Sequence, residues 1–412
     1  MGNTLNINRI YLGRQDLPVR IAFYMPFKPL DHPHPSGDLV IGTELHRFLR
    51  GRGHDIRLVS RLRARWIYWK PWVWAHLFLE IARTRRKLQQ FRPHVWLTYH
   101  AYYKAPDVLG ATCAPAAGIP YAIFQGVYAT KYRRHWKTKP GFYLNRFSLK
   151  QADAVFTNKH RDQINLRRLV PDQRLHYIAP GIHVDHFDKD RPPLRPLRQE
   201  WGSDHHPVIL TVAMFRPGVK ADGVARVIRA CGRLSEKGYR FRLVICGDGE
   251  KREDLQQLAQ KCLGERVLFT GRVPRDQMPN CYCNADMFVF PGIQEGLGMV
   301  YLEAQAAGLP VVACHGWGAS EVVRHDVTGL LSPPGDWKAF ERHIRDLLMN
   351  DALRQRMGIA AQHHIRRHHD LDRNYRSIET RLEKLAGKAL PCTGQHLAQR
   401  TPSKSKKPKL AG

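Results

Sequence analysis

Short apolar runs punctuate the chain, and stretches of helical period separate them. The first half carries VRIAFY (19–24), DIRLVS (55–60), HVWLTY (94–99), PYAIF (120–124), DAVFTN (153–158) and LHYIA (175–179). A second series follows: VILTVA (208–213), RLVICG (242–247), RVLFTG (266–271), MFVFPG (287–292), PVVAC (310–314) and GLLSPP (329–334). Runs that are continuously apolar rather than alternating predict parallel strands covered on both faces. Strand–helix alternation in two blocks predicts an α/β protein of two doubly wound, Rossmann-like domains facing across a cleft. Ligands of such domains sit beyond the carboxyl ends of the strands. The stretch at 183–207, HVDHFDKDRPPLRPLRQEWGSDHHP, has the Pro- and charge-rich composition of a linker. The expected organisation is a leader (1–18), a first domain (19–182), the linker (183–207), a second domain (208–370), a helix (371–390) and a tail (391–412). The tail holds five Lys/Arg residues and no acid, a composition expected of disorder.

A length of 412 residues fits two domains, and 43% apolar content excludes a mostly disordered chain. With no run of 18 apolar residues, a transmembrane helix is not expected. Lys and Arg number 66 against 36 acids, a net charge of +30. That favours anionic partners: nucleic acid, acidic lipid or phosphate-bearing substrates. The eight cysteines are dispersed, and the Cys281/Cys283 pair alone is not a zinc site. A reduced, cytoplasmic protein is the expectation, and MGNTLNINRIYLGRQD lacks the apolar segment of a signal peptide.

The strongest local pattern is ADMFVFPGIQEGLGMVYLEAQAAGLPVVA (285–313). A strand runs through a Pro-Gly turn into a short loop, and a helix is expected from Met299 to about Ala307, ended by Gly308 and Pro310. The loop offers the backbone N–H groups of Leu297, Gly298 and Met299 at a helix N-terminus, where an anion is favoured. Glu295 on the loop and Glu303 on the helix can both face one ligand, and carboxylates accept well from sugar or ribose hydroxyls. The same pattern also fits an ordinary strand–loop–helix unit with solvated glutamates.

The segment E-G-L-G-M-V-Y-L-E resembles the E-x7-E signature of retaining glycosyltransferases of family 4, which have the GT-B fold. Flanking segments run in the family's order: YIAPGIHVDHF (177–187), LVICGDGEKREDLQQLAQ (243–260), RVLFTGRVPRDQMPNCYCNADMFVFPG (266–292) and GLPVVACHGWGASEVVRHDVTGLLSPPGD (308–336). The resemblance covers about residues 175–370 well and 18–170 loosely. It implies a hexosyltransferase-type enzyme that moves a sugar from a UDP-, GDP- or ADP-linked donor to a glycan or lipid-linked glycan, with retention. Synthesis of lipopolysaccharide or another surface polysaccharide is the family-level expectation.

The resemblance also implies roles. Glu303 would accept from the ribose hydroxyls and Glu295 would orient the donor sugar. Gly296, Leu297, Gly298 and Met299 would hold the sugar and distal phosphate through their backbone. Arg216 and Lys220, in TVAMFRPGVKADG (211–223), would meet the diphosphate, although the spacing to Lys220 is about one residue shorter than the family pattern. The backbone at Val273 would receive the base, which leaves the nucleotide unread. Gly37, in Pro35-Ser36-Gly37-Asp38, falls where the family has a glycine-rich turn near the phosphates; an N-cap at Ser36 or Asp38 is the alternative. Gln125 takes the place of a family histidine and cannot act as a base near neutral pH. His100, at another strand end, is an alternative or a core residue. No Asp-x-Asp motif stands at a strand end, and no metal cofactor is expected.

Two basic, aromatic segments concern partners. Residues 61–87, RLRARWIYWKPWVWAHLFLEIARTRRK, place Trp66, Trp69, Trp72 and Trp74 among many cations. They read either as a dock onto an anionic inner-leaflet surface or as a packed amphipathic helix with solvated cations. Residues 130–146, TKYRRHWKTKPGFYLNR, fit an anionic acceptor or a solvated loop. Two rivals are a GT-B epimerase or phosphorylase-like enzyme and a basic nucleic-acid-binding protein. The second rests on charge alone, because no helix-turn-helix, zinc-finger or RNP pattern is present, and no specific nucleic acid is expected.

Overall fold

A computed structural model of the chain describes residues 18–30, 37–187, 196–203 and 205–389. The tail, nearly all of the leader, the Pro35-Ser36 turn and linker positions 188–195 and 204 lie outside the described residues. Each apolar run carries one strand: β1 Arg20–Tyr24, β2 Asp55–Ser60, β3 Val95–Tyr99, β4 Tyr121–Phe124, β5 Ala154–Thr157, β6 Leu175–Tyr177, β7 Val208–Val212, β8 Arg242–Cys246, β9 Val267–Gly271, β10 Met287–Val289, β11 Val311–Cys314 and β12 Gly329–Ser332.

The strands form two six-stranded sheets, ordered β2-β1-β3-β4-β5-β6 and β12-β11-β10-β7-β8-β9. Pairing is parallel, with Ile21 opposite Val95 in the first sheet and Phe288 opposite Leu210 in the second. Strands β3, β4, β10 and β11 are buried at every position. That double-sided burial is why their runs do not alternate. Each fully buried Val, Ile or Leu there contributes roughly 1.5–3 kcal/mol.

The described residues form two compact units, one running to Val155 and taken up again from Glu379, the other Phe156–Ile378. In the first unit, Glu379 on the helix Leu371–Ala389 is buried. His54 Nε2 lies 2.9 Å from its carboxylate and Arg52 Nε 3.0 Å. His54 Nδ1 accepts from the Val19 N–H at 3.1 Å, so Nε2 carries the proton and donates. With Glu383 nearby, these groups resemble a metal set, but the proton on Nε2 makes the cluster a tether for the helix.

The order of the second sheet reverses beside β7. Strands β8 and β9 follow on one side, and β10, β11 and β12 lie on the other. In open α/β sheets the crevice at such a reversal is where ligands bind. Here it lies between the carboxyl ends of β7 and β10.

Candidate active site

The residues after β7 and β10 meet at this reversal. After β7 the chain passes through Phe215 and Arg216 to Gly218, whose φ of 91° lets the helix Val219–Glu236 start sharply. Lys220 is therefore in the first helical turn. After β10, Gln294 has φ 60° and Gly298 φ 65°, and the helix Met299–Ala306 begins. This agrees with the expected start and falls one residue short of the expected end. A Cβ at Gly292 would lie 1.8 Å from the buried Tyr301 hydroxyl, so that turn needs glycine. Tyr301 donates to the Phe290 carbonyl at 3.0 Å and fixes the strand exit.

Lys220 Nζ stands 3.2 Å from Glu295 Oε2, with both side chains partly exposed. The loop is pinned by Glu295 N–H to the Gly292 carbonyl at 3.0 Å and by Gly318 N–H to the Glu295 carbonyl at 3.1 Å. The side chain of Leu297 is buried beneath it. The N–H groups of Gly296, Leu297, Gly298 and Met299 make no hydrogen bond among the described residues. A helix start with open donors, one ammonium and one carboxylate is the arrangement a sugar phosphate needs. Arg216 is exposed on the neighbouring loop.

Glu303 lies one turn into the helix. The Tyr282 hydroxyl donates to its Oε2 at 2.8 Å. Tyr282 is fully buried, and burial followed by the Glu303 charge pushes its pKa well up, so it stays a donor. Sequence reasoning missed Tyr282, since its position in the chain carries no sign of this contact. It also missed Lys159, whose Nζ lies 3.7 Å from where a Gly296 Cβ would be. Two ammonium groups thus border the 295–296 turn.

The turn Gly247-Asp248-Gly249 supports the Arg216 loop. Phe215 N–H donates to the Asp248 carbonyl and Lys251 N–H to the Phe215 carbonyl, each at 3.0 Å. A Cβ at Gly247, where φ is 150°, would sit 1.8 Å from the Ala213 carbonyl oxygen. Val273 is half-buried just beyond β9, after Gly271 with φ 74°.

Gln125 and Gly37 belong to the first unit. Gly37 opens the helix Gly37–Gly51 after β1. Gln125 follows β4 with φ 58° and is only 6% exposed. Its Nε2 is buried without a hydrogen-bond partner among the described residues. A left-handed backbone and an unsatisfied buried amide are both costly, so Gln125 stands out among the strand-end residues of the first unit. His100, after β3, has φ 64° and stacks on Tyr102 at 4.8 Å.

The aromatic segments share one surface of the first unit. The helix Pro71–Phe91 turns Glu80, Thr84 and Leu88 inward, with Glu80 accepting from Ser60 at 2.8 Å. Outward, Trp72 is 74% and Phe78 69% exposed. The Trp69 ring meets Trp136 at 5.4 Å, and Trp69 Nε1–H donates to the Lys137 carbonyl at 2.7 Å. Trp136 is itself exposed, and so are Tyr143 and Phe147 on the helix Lys139–Gln151. No helix among the described residues is long and apolar enough to cross a membrane.

Two parallel six-stranded sheets wrapped by helices define the GT-B fold, and solved structures match it. Sucrose-phosphate synthase from Thermosynechococcus elongatus superposes with a TM-score of 0.69 at 17% identity, covering 90% of this chain and 100% of that one. HepE from Anabaena, in complex with UDP, gives 0.68 at 18% identity, covering 89% and 100%. Residues 196–364 match the family described as glycosyl transferases group 1. Among curated relatives, a GDP-mannose-dependent α-(1-6)-phosphatidylinositol monomannoside mannosyltransferase of Mycolicibacterium smegmatis is 33% identical over 221 residues, 52% of this chain and 57% of that protein. The N-acetyl-α-D-glucosaminyl L-malate synthase of Bacillus anthracis is 25% identical over 354 residues, 80% and 89%. The chain spans about half the length of the first curated relatives it matches.

Proposed function

We propose that the protein transfers a sugar from a nucleotide-sugar to a glycan or lipid-linked glycan, with retention at the anomeric carbon. The observation that carries this reading is the Glu295–Lys220 pair at the sheet reversal, with Glu295 on the loop that leads into the helix bearing a Glu303 anchored by Tyr282. It is supported by the family match over the same residues. Glu303 takes the ribose hydroxyls, and the open N–H groups of 296–299 take the sugar and distal phosphate. Arg216 and Lys220 meet the charge that gathers on the diphosphate as its bond to the anomeric carbon breaks. In this reading those side chains, rather than a metal, balance the leaving group. The acceptor oxygen attacks from the same face, and its proton passes to a departing diphosphate oxygen. Gln125 hydrogen-bonds donor or acceptor without acting as a base.

A thermal-shift panel of UDP-, GDP- and ADP-sugars tests the donor reading. One nucleotide class should raise the melting temperature of the full chain in a concentration-dependent way. If none does, the donor assignment is wrong.

The acceptor reading extends to the membrane. Exposed Trp72, Phe78 and Trp136 among Arg and Lys residues suit an anionic lipid surface at the cytoplasmic face, with the acceptor drawn from surface-polysaccharide synthesis. The protein should float with anionic and not with neutral liposomes, and a Trp72→Ser/Phe78→Ser/Trp136→Ser variant should remain in the soluble fraction. Equal flotation of variant and wild type would move the contact elsewhere.

A further inference from the structure

Away from the loop just described, the helix Val219–Glu236 and the first turn of the helix Trp337–Met349 wall a concavity of about 540 Å³. Arg226, Arg229 and Arg233 line it from one helix, and their spacing of three and four places them on one face. Lys338 lines it from the other side, beside Trp337.

The acids of this concavity are already committed. Glu341 is held by Arg233 at 2.5 Å and by Lys237 at 2.7 Å. Asp336 Oδ1 accepts from the Ala339 N–H at 2.9 Å and caps its helix. Arg226, Arg229 and Lys338 have no ion-pair partner among the described residues. Arg226 is positioned all the same, because its guanidinium carbon lies 4.6 Å from the Trp337 ring centroid. Three uncommitted cations therefore converge on one hollow, one of them held by an aromatic ring.

We propose that this hollow is a second ligand site, for a saccharide carrying two phosphate or sulfate ester groups. Guanidinium groups match the oxygen geometry of such esters bidentately, and one helical turn between Arg226 and Arg229 suits two anionic groups on one small molecule. The volume holds a mono- or disaccharide. A nucleotide fits less well, because Arg226 covers a face of Trp337 on which a base would stack. The site does not depend on the donor reading, since none of its residues belongs to the 295–303 segment.

The test is calorimetric titration of the full chain with glucose 1,6-bisphosphate, a sulfated disaccharide and uncharged maltose. At least one esterified sugar should bind with 1:1 saturation, whichever ester it carries, and maltose should not. Arg226→Gln/Arg229→Gln should weaken that binding about tenfold or more, as expected for lost charge-assisted bonds. Arg240→Gln/Arg356→Gln removes the same charge from exposed positions elsewhere and should leave affinity within about twofold. Equal loss in both double variants would reduce the effect to the overall charge of +30 and overturn the proposal. Absence of saturable binding by either esterified sugar would overturn it as well.

Discussion

Glu303→Ala should lose nearly all nucleotide-sugar stabilisation, with KM for the donor rising about 10²- to 10⁴-fold and kcat changing little. Two charge-assisted hydrogen bonds to ribose hydroxyls, at about 1.5–3 kcal/mol each, set that scale. The effect falls on KM because the ribose lies remote from the bond that breaks and is held alike in ground and transition states. Tyr282→Phe keeps the carboxylate but frees it, since the 2.8 Å hydrogen bond is lost. Its KM should rise less, about three- to tenfold, from the cost of ordering an unanchored side chain. A 2′,3′-dideoxy nucleotide separates this from general damage. Wild type should prefer the ribose form, Tyr282→Phe should prefer it less, and Glu303→Ala should not distinguish the two. A Glu303→Ala enzyme that still discriminated would place the ribose elsewhere.

The sheets were legible because fully buried parallel strands leave a mark that needs no tertiary knowledge: apolar on both faces, closed by Gly or Pro. Glu295 and Glu303 were legible for a similar reason, since one loop and one helix carry both and local geometry sets their relation. Tyr282 and Lys159 were not. Each reaches the site only through the order of packed elements, and no spacing encodes a contact between Tyr282 and Glu303. The support that Gly247 and Gly249 give the Arg216 loop was hidden likewise, because it exists only once β8 lies beside β7. The helix Pro71–Phe91 illustrates a different limit. Its sequence places aromatic and polar residues on the same few turns, and periodicity does not tell which face turns inward. In the structure Glu80 bonds to Ser60 inside while Trp72 and Phe78 lie outside. The exposed face of this helix therefore carries apolar rings as well as cations.

Lys220→Ala should lower kcat about 10²- to 10³-fold, the scale for removing one preorganised group that meets developing charge. Lys220 is paired with Glu295 at 3.2 Å. A partly exposed pair of this kind contributes little to stability, about 0–1 kcal/mol, so the fold should survive the change. In the proposed reading the pairing would hold the ammonium in place for a donor that offers more negative charge than one carboxylate. A purely structural role for Lys220 would slow every donor alike. A role at the leaving group makes a different prediction, because the defect must shrink when the leaving group needs less help. The variant should therefore be far less impaired with a glycosyl fluoride, assayed with free nucleotide bound, than with the nucleotide-sugar. Lys220→Arg should recover part of the rate, since charge at that point matters more than the shape of the group that carries it. Equal impairment on both donors would move the cation that balances the diphosphate to Arg216, on the neighbouring loop, or to Lys159, whose Nζ lies by Gly296.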